Sequence, residues 1–139
     1  MTADNQRIVA MLFDAIESGD VDLIRPHLAP DVVEVIPYAP NGQPEPFGVF
    51  TGREAVMEYL GNIVRGFSKR AVNDRVFYAT GDGGTVFVEC KGDLTLADTG
   101  APYHNVYIFK VTFRDDQIVH IAEYANPVTF AKLVGMPLG

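Results

Sequence analysis

One cysteine, Cys90, occurs in 139 residues. No internal disulfide can form, so the fold does not depend on oxidation. Cys90 sits in an apolar run and reads as a small buried hydrophobe rather than a reactive thiol. Positive charge is scarce as well. Eleven lysines and arginines face 18 aspartates and glutamates, a formal net charge of -7. That balance argues against a nucleic-acid backbone or an anionic membrane as partner. No apolar run is long enough to span a bilayer. The opening Met-Thr-Ala-Asp-Asn-Gln-Arg lacks a basic stretch followed by an apolar core, so no signal peptide is evident. A cytoplasmic location is the default expectation.

Chemical motifs are sparse too. His27, His104 and His120 do not have metal-ligand spacing, and no paired cysteine exists, so no metal site is expected. Gly81-Asp82-Gly83-Gly84 has no following helix or lysine and reads as a hairpin turn, not a phosphate cradle. No nucleophilic serine or cysteine motif appears.

What is present is a clear order of elements. Ile8, Val9, Leu12, Phe13 and Ile16 form an apolar stripe at helical spacing over residues 3–18, with Asp4 as cap and Gly19 as stop. A second helix after Asp20 is expected to be short or bent, because Pro26 removes a hydrogen bond. Val32 to Ile36 is β-branched and reads as a strand ended by Pro37. Residues 37–52 carry four prolines and three glycines and read as a long loop, a candidate lid with Tyr38, Phe47 and Phe50. A third helix runs to Phe67, with Thr51 and Glu54 placed as a capping box. The period then changes. Residues 72–79, 85–91, 103–114 and 117–125 read as strands, with Asp115-Asp116 as a hairpin turn and Asn-Pro (126–127) starting a short helix.

Helices early and a strand meander late describe one α+β domain over residues 1–139. A curved antiparallel sheet would wrap the helices. Its inner face can leave a hollow. Its outer face carries too many apolar residues for full exposure, which implies a partner there.

Three segments carry a family resemblance. The first is Gly19-Asp20 between helices, then a strand ending at Pro37 and Gly52-Arg53-Glu54. The second is Val86-Phe87-Val88-Glu89-Cys90. The third runs from Thr99 through Asn105, Tyr107 and Asp115-Asp116 to Glu123-Tyr124-Ala125-Asn126-Pro127. In this order the chain resembles the nuclear transport factor 2-like superfamily: SnoaL-like polyketide cyclases, ketosteroid isomerases, limonene-epoxide hydrolases and phenazine-biosynthesis A/B proteins. The resemblance implies a cone-shaped, cystatin-like α+β barrel with an apolar pocket, usually a homodimer through the sheet. It implies a cofactor-independent isomerase, cyclase or hydratase acting on a small apolar carbonyl compound. The alternative is a non-catalytic ligand-binding or dimerisation module.

The family's catalytic positions are only partly occupied. The ketosteroid isomerases' aspartate base, oxyanion tyrosine and protonated aspartate fall here at Ile36, Leu12 and near Phe109, which argues against that mechanism. The arginine of the epoxide hydrolases' Asp-Arg-Asp set is absent around Phe87 to Cys90, and the phenazine proteins' helix histidine falls at Tyr59. Their last-strand acid matches Glu123, the catalytic candidate.

What Glu123 faces depends on the Asp115-Asp116 hairpin. A two-residue loop puts Ile108 opposite. A three-residue loop with a bulge puts Phe109 opposite and Asn105 and Tyr107 on the same face. The second agrees with the family's pocket. Asn105 and Tyr107 would then orient a substrate oxygen. Phe109, Tyr59 and Tyr38 fit pocket walls. Glu89 is either a second pocket carboxylate or an outer-face residue beside Lys91. Glu123 itself either exchanges protons or pairs with a neighbour and shapes the fold.

Overall fold

A computed structural model describes residues 2–137 of the chain. Helix α1 spans Thr2–Ser18, so Asp4 lies in its first turn rather than at its cap. Gly19, at φ +85°, ends it, as glycine readily does in the left-handed region. Two turns of 3-10 helix follow, Val21–Leu23 and Arg25–His27, in place of one bent helix. Strand β1 is Leu28–Ile36, β2 is Gly48–Thr51, and α2 is Arg53–Gly66. Four longer strands complete the sheet: β3 Phe67–Ala79, β4 Thr85–Leu96, β5 Pro102–Arg114 and β6 Gln117–Ala125. Helix α3, Pro127–Val134, closes the fold.

The strands form one open sheet in the order β2-β1-β6-β5-β4-β3. It is not purely antiparallel, because β1 runs parallel to β6. It curves without closing into a barrel. Register shifts at Asn73/Val76 in β3, at Thr112/Phe113 between β5 and β6, and between Leu28 and Val33 in β1 help bend it. The expected loop after Pro37 contains β2, which pairs Val33 with Thr51. That pairing overturns the expected capping box. Thr51 ends a strand, Gly52 takes the cap position without a side-chain bond, and Glu54 instead pairs with Arg25 at 3.1 Å.

The concave face packs on α1 and α2. Leu12, Phe13, Ile24, Leu28, Val32, Val56, Leu60, Val88 and Ile121 are essentially fully buried there. Arg70 ties the helix ends to the sheet. Its guanidinium donates to the carbonyls of Ile16 at 2.7 Å, Val64 at 3.1 Å and Glu17 at 3.4 Å, and also to that of Phe67. These oxygens lie at or near the C-terminal ends of α1 and α2, where carbonyls lack helical partners.

Candidate functional site

The hydrophobic helices do not fill the concave face completely. A cavity of about 290 Å³ remains between α1, α2, β1, β4, β5, β6, the loop after Pro37 and α3. Its wall is mostly aromatic and aliphatic, with two carboxyls, Glu34 and Glu123.

Glu123 reaches the cavity because of a bulge. Asp115 and Asp116 both have positive φ, 52° and 64°, as a two-residue primed turn requires. Arg114 therefore pairs with Gln117 and Phe113 with Ile118, but Thr112 pairs with His120. Val119 is the extra residue. From there on Phe109 stands opposite Glu123. The turn is thus the two-residue kind, and the register offset sits inside the strand rather than in the three-residue loop expected.

Glu34 is the functional candidate that the sequence reading missed. It is 2 % exposed, on β1, level with Ile121 of the parallel neighbour β6. Ile121 and Glu123 share a face, so the two carboxyls meet on the cavity wall. Burial pushes the Glu34 carboxyl well above the usual range, and Glu123 pushes it the same way. Burial also raises Glu123, while hydrogen bonds with Tyr59 and Glu34 pull it partly back. Both shifts point the same way, so the pair holds a proton more tightly than free carboxyls do. Like carboxyls this close titrate as a coupled pair. Glu34 Oε1 has no hydrogen-bond partner. The signal for it was available: Glu34 is in strand phase with buried Val32.

Tyr59 of α2 donates its hydroxyl to Glu123 Oε1 at 3.0 Å. Phe50 of β2 stacks on its ring at 4.3 Å and holds it. Burial, then the charges of Glu123 and Glu34, push the Tyr59 phenol well above its ordinary value, so it stays a donor. Tyr107 and Phe109 also line the cavity, stacked 5.6 Å apart, with Phe13 edge-on to Phe109 at 5.0 Å. Burial and neighbouring Tyr103 raise the Tyr107 phenol as well. Tyr38 is 55 % exposed at the cavity margin, edge-on to Tyr124 at 5.3 Å.

Two expected residues stand elsewhere. Asn105 is buried, but its amide is already used. It donates to the Tyr103 hydroxyl at 2.7 Å and the Asn126 carbonyl at 3.1 Å, and it accepts from the backbone N–H groups of Val106 and Asn126. It pins β5 to the start of α3, and both amide protons are already donated. Glu89 is exposed on the outer face, because β4 alternates and Val88 and Cys90 point inward. There it lies beside Tyr78 and raises that phenol. Asn126 caps α3, accepting from the Val128 N–H at 3.0 Å, and so fixes where β6 ends.

Known proteins share this fold. The chain is 29 % identical over 99 residues to the uncharacterized protein YesE of Bacillus subtilis, covering 71 % of this chain and 65 % of that protein, under two thirds of its length. A candidate isomerase from Bacillus subtilis superposes with a TM-score of 0.82 at 23 % identity, over 99 % of this chain and 97 % of the other. A candidate polyketide cyclase from Xanthomonas campestris superposes with a TM-score of 0.78 at 20 % identity, over 96 % of each chain. The open curved sheet and N-terminal helices are therefore the nuclear transport factor 2-like fold. Residues 9–121 match the SnoaL-like domain, most of the chain, and the chain belongs to that family.

Proposed function

We propose that this chain is a cofactor-independent enzyme of the isomerase or cyclase type that moves protons on a small, largely apolar carbonyl compound. The observation that carries this reading is the contact of Tyr59, Glu123 and Glu34 on the wall of an apolar cavity. Glu123 takes a proton from the carbon next to the carbonyl. Glu34 gives its proton to the carbonyl oxygen, so a neutral enol forms and no free oxyanion is left in a cavity that has no cationic side chain among the described residues. In an unsaturated ketone the enol is a conjugated dienol, and return of the Glu123 proton to its far carbon, with Glu34 recovering its own from the enol oxygen, completes an isomerisation. A ring closure would use the same enol as carbon nucleophile. Tyr59 holds Glu123 in place, and Tyr107 and Phe109 face the substrate's apolar body. The cyclase and isomerase likenesses support the reaction class and leave the substrate open.

Proton exchange tests this reading. Small apolar ketones in heavy water should gain deuterium next to the carbonyl when the protein is added. Glu123→Gln should slow that exchange by about 10²–10⁴-fold, the usual worth of a general base. Exchange that survives in Glu123→Gln would remove Glu123 as the base, and no exchange with the wild type would support a binding module instead.

The same proposal includes a homodimer through the outer sheet face. Val106 is 58 % exposed and Ile108 45 %, and Tyr78, Val76 and Phe87 extend the patch. Ile108→Asp should convert a dimer to a monomer in sedimentation. A wild-type monomer would remove this part of the proposal.

A further inference from the structure

We infer that the cavity is a site for a hydrophobic amine, with its ammonium at the Glu34–Glu123 pair and its apolar body against the aromatic wall. The inference rests on the cavity of the preceding reading and not on its chemistry. Its first support is charge. Glu34 and Glu123 line the cavity, and no lysine, arginine or histidine does among the described residues. The guanidinium beside the wall, Arg75, sits over the Phe13 ring at 5.4 Å and is already paired with Asp14 at 2.9 Å and Glu17 at 3.0 Å. A negative charge on the buried pair therefore has no countercharge within the cavity, and an unpaired buried charge is costly.

The second support is an unmet acceptor. Glu34 Oε1 has no hydrogen-bond partner, and its residue is 2 % exposed. Tyr59 brings one donor, already given to Glu123. An ammonium brings three donors and no acceptor. The third support is the wall. Ring systems at Tyr59, Tyr107, Phe109 and Phe13 surround the space next to the carboxyls. Aromatic faces attract a cation most strongly where water is excluded. A carboxylate ligand would meet like charge with nothing to offset it.

The test uses three ligands with one skeleton: naphthylmethylamine, naphthylmethanol and naphthoate. Their dissociation constants are measured by calorimetry with the wild-type chain at mildly alkaline pH. The amine should bind at least about tenfold tighter than the alcohol, and the naphthoate should not bind. Glu34→Gln and Glu123→Gln should each shrink the amine's advantage over the alcohol. Should either variant fail to fold, the wild type at acid pH gives the same reading. With both carboxyls protonated, and only tyrosines otherwise titrating on the cavity wall, the amine's advantage should fall away. An alcohol that binds as tightly as the amine overturns the inference and leaves the enzyme reading standing. So does an amine preference that survives both variants. Failure of all three ligands to bind overturns the amine site and weakens the pocket reading with it.

Discussion

The two faces of the sheet use glutamate in opposite ways. On the inner face Glu34 and Glu123 are pressed together against an apolar cavity, and burial raises both. On the outer face Glu89 stands in water beside Tyr78, a strand position from buried Val88 and Cys90. The residue type is the same and the strands belong to one sheet. What differs is the phase of a period-two pattern, set on β6 by one extra residue, Val119. Chemistry in this fold thus depends on register more than on composition.

The contrast between faces can be broken most directly through packing. Ile121 is 1 % exposed on the inner face, and Ile121→Ala should cost about 2–5 kcal/mol of unfolding free energy in a urea titration. Ile108→Ala on the outer face should cost no more than about 0.5 kcal/mol at protein concentrations low enough to dissociate any dimer. Equal losses at the two sites would mean that the outer patch is as integral as the core.

Titration sharpens the contrast next. Both inner carboxyls hold protons more tightly in the folded chain than in the unfolded one. The native state therefore binds more protons above the free-glutamate range, and their contribution to stability falls as pH rises through the raised values. Glu34→Gln removes one of the two raised carboxyls and with it part of that loss. Its melting temperature should exceed the wild type's at neutral and alkaline pH and converge with it in acid. Exposed Asp31, Asp93 and Glu54 are held low by Arg114, Lys69 and Arg25, and so act in the opposite direction. They are unchanged by the substitution and cancel in the comparison. A variant less stable than the wild type at every pH would show that Glu34 is a structural acceptor.

A smaller effect is expected at Tyr59. Its hydroxyl lowers the Glu123 carboxyl by donating to it. Tyr59→Phe should move the Glu123 midpoint upward, read from its carboxyl carbon resonance, with little change in fold because Phe50 still stacks on the ring. An unchanged midpoint would mean that the bond is not made in solution.

Much of this fold can be read from residues alone. The apolar stripe from Ile8 to Ile16, the stop at Gly19 and the alternation of β4 all follow from local periodicity. Elements that depend on distant partners are less legible. Strand β2 forms because Val33 offers it an edge, and that pairing takes Thr51 out of its expected capping role. The candidate site divides in the same way. Glu123 stands out as a lone acid in an apolar strand. Glu34 lies in a β-branched strand whose neighbour, β6, is more than eighty residues away in the chain, and local periodicity does not reveal that pairing. Asn105 illustrates the converse. A polar residue on the inner face suggests a ligand contact, and only the positions of Tyr103 and Asn126 show its hydrogen bonds already taken.

The central claim is that Glu34 and Glu123 share a proton at the cavity wall. A pH titration of the glutamate carboxyl carbons by NMR in the wild-type chain tests it most directly. Two coupled steps should appear at these residues, both displaced above the ordinary glutamate range, with Glu54 displaced below it by Arg25. Independent, single-step titration of Glu34 and Glu123 in the ordinary range would contradict the account.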